Sequence, residues 1–357
     1  MHRAAPTAGS SRFAVMDGLR GVAAMAVVLC HSWPDGGPVQ NGPLAVDFFF
    51  LLSGFVIAHA YEDELRAGLI RAFLVRRLIR LLPLVWLGAG GGFLVALIHT
   101  LTHSGAPAAL PAVVSSGLLS LCLIPYLGPG LGEDTFSFNP PLWSLSFELA
   151  ANLVYAVLAR RLSSGVLVGI VATGLAVTVW GGGLGGGAKA TLGLGVPRVA
   201  CGFFGGVLLH RLHRAGRLPQ LSGRFSVLSL ALLSAVCCPW VIRGWTFLAV
   251  YILFALIIAG AVGARPGRLA RFYLTLGVIS YPLYALHWLT LFALMTIAIH
   301  FDIPYALHTP VVLANAVCAP FIAYAVALWY DAPLRRYITV QRQRALQQVP
   351  IRPAVSK

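Results

Sequence analysis

Arg20 and His31 stand eleven positions apart in the apolar run MDGLRGVAAMAVVLCHSW, residues 16–33. On an α-helix that spacing is about 16 Å along the axis and three turns, so both side chains project from nearly the same face. They address one interior at two depths. A guanidinium matches phosphate or carboxylate through its fork of N–H donors, and an imidazole can take a proton from a hydroxyl near neutral pH. Asp17, three residues before Arg20, is placed to pair with it and so lower the cost of a cation near hydrocarbon. The bland alternatives are an interfacial anchor for Arg20 and a surface position for His31.

Other chemistry-bearing residues recur in apolar surroundings. Asp47 lies near the start of LAVDFFFLLSGFVIA, level with His31 if the two helices run antiparallel; it can orient the imidazole or simply cap its helix. The small residues of LLSGF suit close helix approach. In RAFLVRRLIRLLPLVW, Arg77 and Arg80 are one turn apart, flanked by Arg71 and Arg76, as either a topology anchor or a phosphate site. Glu148 sits about two turns into FNPPLWSLSFELAANLVYAVL, with Trp143, Ser144, Ser146 and Asn152 nearby, and a carboxyl at that depth points to a site or a proton relay. Ser280, Tyr284 and His287 follow at i, i+4 and i+7 on one helical face, with Tyr281 and Trp288 beside them. Asp331, Arg335 and Arg336 close the last apolar run. No Gly-rich phosphate loop, HExxH, CxxC or GxSxG motif is present, and the six cysteines show no metal-ligand spacing, so no metal is expected.

The elements that must position these residues are membrane helices. Of the 357 residues, 58% are hydrophobic and 10% charged, with a mean hydropathy of +0.82. Apolar runs long enough to cross about 30 Å of hydrocarbon recur along almost the whole chain. The net charge of +15 is not that of a nucleic-acid binder, because the basic residues lie between the apolar runs rather than on a solvated domain. Cutting at charged and Pro/Gly-rich breaks predicts ten spans, at 16–33, 44–60, 81–99, 140–158, 165–180, 196–210, 225–241, 245–263, 272–299 and 309–330. With both termini cytoplasmic, every Lys and Arg except Arg20, Lys189, Arg198 and Arg243 falls on the inner side. Residues 112–127 would invert that order if they crossed, so they are expected to form a half-helix or re-entrant element on the outer side. No small-residue cleavage site follows the first run, which reads as a retained span.

Taken in order, MDGLRGVAAMAVVLCH, VDFFFLLSGFVI, RRLIRLLP, LWSLSFE, ISYPLYALHW and YDAPLRRY resemble the acyltransferase-3 family of integral-membrane acyltransferases. The family's Arg-x10-His falls on Arg20 and His31, its Arg-x-x-Arg on Arg77 and Arg80, and its Trp-Ser-Leu-Ser-x-Glu on Trp143 to Glu148. Asp331 stands where the family often has Glu. The resemblance implies an all-α polytopic bundle, with 1–340 as the transmembrane acyltransferase domain and 341–357 as a basic cytoplasmic tail, and without the SGNH hydrolase-like domain that some members add. It implies an inner-membrane enzyme moving an acyl group, commonly acetyl from acetyl-CoA, to a hydroxyl of a carbohydrate or other acceptor on the outer side. On that reading His31 is the general base, or is transiently acylated, and Glu148 or Asp47 assists it. Arg20, Arg76, Arg77 and Arg80 hold the donor, while Trp143, Ser146, Tyr284 and His287 meet the acceptor. The expected partners are the bilayer, acyl-CoA and the acceptor, with a homo-oligomer left open and nucleic acid excluded. A transporter or lipid flippase is the rival reading, since the same polar residues also mark substrate pathways.

Overall fold

Each of the ten expected spans coincides with one helix of the computed structural model. The structure describes residues 13–33, 37–102, 110–181, 184–219, 221–239, 242, 244–264, 267–304 and 308–347. Arg3, Arg12, Arg243, Arg265 and the tail after 347, whose sides the sequence predicts, lie outside these residues.

In chain order the helices are α1 (Ala14–His31), α2 (Leu44–Arg66), α3 (Ile70–Thr102), α4 (Leu110–Leu121), α5 (Leu142–Leu158) and α6 (Ser164–Trp180). A 3-10 turn (Lys189–Leu194) leads into α7 (Gly195–Arg214), followed by α8 (Phe225–Val236), α9 (Trp245–Val262), α10 (Ala270–His300) and α11 (His308–Val326). A π turn (Ala327–Asp331) joins α11 to α12 (Ala332–Gln347), so the basic tail expected from 341 begins as helix. Pro43 and Pro141 stand immediately before α2 and α5, where a missing N–H leaves nothing unpaired. Ser163 caps α6 by accepting from the Val166 N–H at 3.2 Å. Gly68, at φ +89°, turns the chain out of α2 in the left-handed region.

Among the described residues, seven helices are long and apolar enough to cross a membrane by themselves, and α4, α5, α6 and α8 are shorter apolar helices. Large side chains left uncovered, such as Leu94, Ile98, Phe321 and Trp329, are those a hydrocarbon phase would cover. The chain is a polytopic helical membrane bundle.

Two helix pairs fix how the chain reverses. Contacts between α1 and α10 advance together, from Gly18 against Tyr273 to His31 against His287, so these helices are parallel. Between α2 and α7 they also advance together, from Asp47 with Arg198 to Asp63 with Arg214. If α2, α3 and α5–α9 each cross once, both pairs are parallel only when α4 does not cross. Its 12 residues span about 18 Å, well short of the hydrocarbon thickness. The half-helix expected near 112–127 is therefore α4, ending at Leu121.

The charges sort by end. Arg211 meets Glu62 and the Leu162 carbonyl, Arg214 meets Asp63, Arg160 donates to the Arg66 carbonyl and Arg76 pairs with Glu64, all at the end where α1 begins. At the opposite end Lys189 donates to the carbonyls of Gly128 and Leu131 at 2.7 and 2.9 Å.

The closest approach in the α2–α7 pair passes through two glycines. A Cβ on Gly54 would strike the Phe203 carbonyl, and one on Gly206 would strike the Leu51 carbonyl, both backbone atoms with no rotamer to yield. Gly206→Val is expected to cost at least the roughly 1–3 kcal/mol of ordinary overpacking. Thermal unfolding of the detergent-solubilised protein, with yield of monodisperse material, measures it.

Candidate active site

The polar stripe of α10 turns toward the polar face of α1, and the two meet at two levels. At the lower level the Arg20 Nε donates to Ser280 Oγ at 2.7 Å, and one terminal nitrogen reaches the Gly277 carbonyl at 3.0 Å and Asp17 at 3.2 Å. Three turns on, His31 Nδ1 lies 2.9 Å from His287 Nε2. The two rings are parallel to within 6° with centroids 5.2 Å apart, edge to edge, and the Trp288 ring stands at 89° to His31. Tyr284, between the two levels, shares a 2.6 Å hydrogen bond with Ser144 of α5.

His31 lines a cavity of ≈ 170 Å³ at its end of the bundle. Tyr284, Trp143, Cys30 and the paired prolines 140 and 141 form its walls, and Asp134 stands at it from the connection before α5. Two connections are zipped together above: Thr135 N–H donates to the Gly187 carbonyl and Lys189 N–H to the Glu133 carbonyl, at 2.9 and 2.8 Å. The glycine tract explains itself here, because a Cβ on Gly186 (φ +127°) would enter the Trp143 ring. Loss of water, then the neighbouring Glu133, pushes the Asp134 carboxyl above its ordinary range.

The expected assistants of His31 are elsewhere. Asp47 takes two hydrogen bonds from Arg198, at 3.0 and 2.7 Å, in an ion pair buried to 1% and 3% exposure. Arg198 also donates to the Pro43 carbonyl and lies 5.2 Å from the centroid of Trp143, so the pair backs the cavity wall and does not touch the imidazole. Glu148 Oε1 accepts from Ser53 at 2.6 Å and Arg77 at 2.7 Å, which places it with the arginines. The partner of His31 is His287. It is fully buried, at 0% exposure, so it stands behind His31 and cannot meet an acceptor. Ser146 lines no part of the cavity; Ser144, two residues earlier, holds Tyr284 instead. Trp143 and Tyr284 line the cavity.

At the other level Arg20, Arg77, Arg80 and Glu148 lie within electrostatic reach of one another. Arg76 is taken up by Glu64 and the face of Tyr61, at 5.0 Å from its centroid, outside this group. Arg80 makes no hydrogen bond or ion pair among the described residues. The buried Arg77 Nε also lacks a partner there. Asp17 pairs with Arg20, and Asp331, held by Arg335, feels Arg80, so Arg20, Arg77, Arg80 and Arg335 face Asp17, Glu148 and Asp331 and leave one positive charge in excess, which fits an anionic group. No cluster among the described residues has the make-up of a metal site.

Arg198 and Asp134 escape a motif reading, and Ser144 lies inside a motif that does not single it out. An arginine four residues into an apolar helix is itself a signal of function or pairing. Asp134, in an irregular connection, carries no sequence signal at all.

Removing one partner of the Asp47–Arg198 pair leaves a buried charge alone. Asp47→Ala is expected to destabilise by about 3–5 kcal/mol. Lowered unfolding temperature of the purified protein, partly restored by a second change of Arg198→Met, checks this.

Residues 13–328 match the acyltransferase-3 family model, described as an acyltransferase domain. Protein 2 in the picA locus of Rhizobium radiobacter is 38% identical over 157 residues, which are 41% of this chain and 81% of that protein. The acyltransferase MdmB of Streptomyces mycarofaciens is 32% identical over 165 residues, 42% of this chain but only 40% of MdmB's length. No solved structure matches the chain.

Proposed function

Since the chain belongs to the acyltransferase-3 family over residues 13–328, we propose that it transfers an acyl group from cytosolic acyl-CoA to an acceptor hydroxyl on the outer side of the inner membrane. The observation that carries this reading is the division of the site between two levels: an imidazole at a cavity at one end of α1, and at the other Arg20 of α1 near Arg77 and Arg80 of α3, the last with no hydrogen bond or ion pair among the described residues.

The donor's phosphates dock at the arginine end, where Arg80 makes no hydrogen bond or ion pair among the described residues and Arg20 and Arg77 add positive field. Arg77 is already committed to Glu148, so its contribution is long-range. The acyl-bearing arm reaches toward His31 beside the α1–α10 contact rather than through it, since that contact leaves no room for a Cβ at Gly18, Gly21 or Gly277. There the imidazole Nε2 removes the proton of the acceptor hydroxyl as its oxygen attacks the thioester carbon, and the same proton returns to the departing sulfur. The leaving thiol and the new ester account for every atom. An acyl-histidine intermediate is the variant in which Nε2 attacks first.

Acetyl is the first donor to test, and a carbohydrate the first acceptor. The flat Trp143 face and the Asp134 carboxylate at the cavity supply stacking surface and a hydrogen-bond acceptor, the two groups a sugar needs. The transporter reading has less support, because the sequence shows neither repeated halves nor a matching pair of interrupted helices.

Radiolabelled acetyl-CoA, incubated with purified protein and a panel of oligosaccharides and small alcohols, tests the proposal. His31→Ala is expected to lower transfer by about 10²–10⁴-fold with unchanged thermal unfolding, and substantial remaining activity would remove His31 from the chemistry. Arg80→Ala is expected to raise the KM for acetyl-CoA about tenfold, in line with the loss of one charged hydrogen bond of about 1.5 kcal/mol. Unchanged KM would make Arg80 a topology anchor.

A further inference from the structure

The His31–His287 contact has a direction that the backbone of α10 dictates. His287 Nδ1 lies 2.9 Å from the Tyr284 carbonyl and 3.1 Å from the Leu283 carbonyl. Carbonyl oxygens only accept, so the neutral ring carries its proton on Nδ1 and leaves Nε2 bare. The bare Nε2 is the atom 2.9 Å from His31 Nδ1, which must therefore be the donor. His31 in turn keeps its proton on Nδ1, and its Nε2 holds the lone pair.

We infer that His287 is a positioning residue: it holds His31 in the tautomer whose Nε2 is basic, through a chain running from two α10 carbonyls across both rings to the cavity. This rests on the reading of His31 as the base. The assignment differs from an ordinary core hydrogen bond in that both ends of the chain are fixed. The Leu283 and Tyr284 carbonyls anchor one end, and the edge-to-edge, parallel setting of the two rings, with Trp288 perpendicular to His31, sets the other.

A neutral partner suits the place. Both carboxylates that the sequence offers for this task are engaged elsewhere, Asp47 by Arg198 and Glu148 by Arg77. An anion behind His31 would have to be buried in hydrocarbon, whereas a second imidazole supplies a lone pair without a net charge. When His31 gains a proton during transfer, its Nδ1–H bond to His287 becomes charge-assisted and strengthens. The pair is thus better matched to the protonated intermediate than to the resting state.

The test separates tautomer from turnover. Full-length protein labelled with ¹⁵N-histidine is reconstituted in nanodiscs, and two-bond ¹H–¹⁵N spectra are taken at a pH where the rings are neutral, with His31 assigned by its loss in His31→Gln. The expected spectrum has a protonated Nδ1 and a bare Nε2. His287→Leu should shift His31 toward the Nε2–H form, and His287→Gln, whose side-chain oxygen can take the same proton, should keep the wild-type form. A wild-type His31 protonated on Nε2, or a His287→Leu spectrum that does not change, overturns the inference.

The kinetic arm uses acetyl-CoA with the best acceptor of the panel above. His287→Leu should lower kcat about a hundredfold with an unchanged KM for acetyl-CoA, and His287→Gln should recover to within about tenfold of wild type. A rise in KM instead of a fall in kcat would mean a merely structural role. If His31 proves dispensable for transfer, the tautomer result stands while the proposed chemistry falls. If His31 is essential but its tautomer ignores His287, the chemistry stands and the relay falls.

Discussion

A guanidinium and an imidazole on one apolar helix must each find hydrogen-bonding partners before that helix can leave water, and a single neighbour, α10, provides for both. Ser280 and the Gly277 carbonyl take Arg20, and His287 takes His31. Unsatisfied, either group would cost several kcal/mol in hydrocarbon. The match works only because the helices touch closely: Gly18 packs on Tyr273, Gly21 on Leu276 and Gly277 on Asp17, each without room for a Cβ. Small residues thus set the distance at which the polar ones can meet. The parallel run of α1 and α10 then fixes the parity of every reversal between them, and with it the non-crossing role of α4.

The carboxylates of the interior are spent on holding cations rather than on the imidazole. Asp47 neutralises Arg198 behind Trp143, and Glu148 ties α5 to α2 and α3 through Ser53 and Arg77. The site therefore has two electrical characters. The cavity end is nearly neutral around His31, and the opposite end carries surplus positive charge of which Arg80 is the accessible part. Nucleotide phosphates and an uncharged hydroxyl acceptor would each be drawn to the end that suits them.

Much of this was legible in the chain, for physical reasons. Hydropathy places helices because hydrocarbon tolerates little else, and all ten spans were found where length and polarity put them. The stripe Ser280, Tyr284, His287 could be read as one face because helical periodicity is rigid. Which face meets which was not legible. Asp47 level with His31 suggested a pair, yet Arg198, a stronger partner for a carboxylate, stands on α7 and claims it. Ser146 and Ser144 sit in one motif, and only the rotation of α5 decides that the latter reaches Tyr284. Asp134 lies in a connection whose path is set by backbone bonds to Gly187 and Lys189, which no residue spacing encodes.

The long reach of the α1–α10 pairing has a bearing on how the chain is made. His31 and its partner are separated by 256 residues of sequence, and Arg20 and Ser280 by 260. At roughly 5–20 residues per second, α1 waits about 13–50 s between its own synthesis and the arrival of α10. For that interval its polar face has no permanent occupant. The nascent first helix must rest against the translocation machinery, lipid headgroups or earlier-made neighbours such as α2, and hand over its arginine and histidine late. Pairing of α1 with α10 is in this sense a late event of biogenesis, so a ribosome that stops before α10 releases a chain whose first helix is inserted but unlocked, a natural mark for the membrane's quality-control proteases.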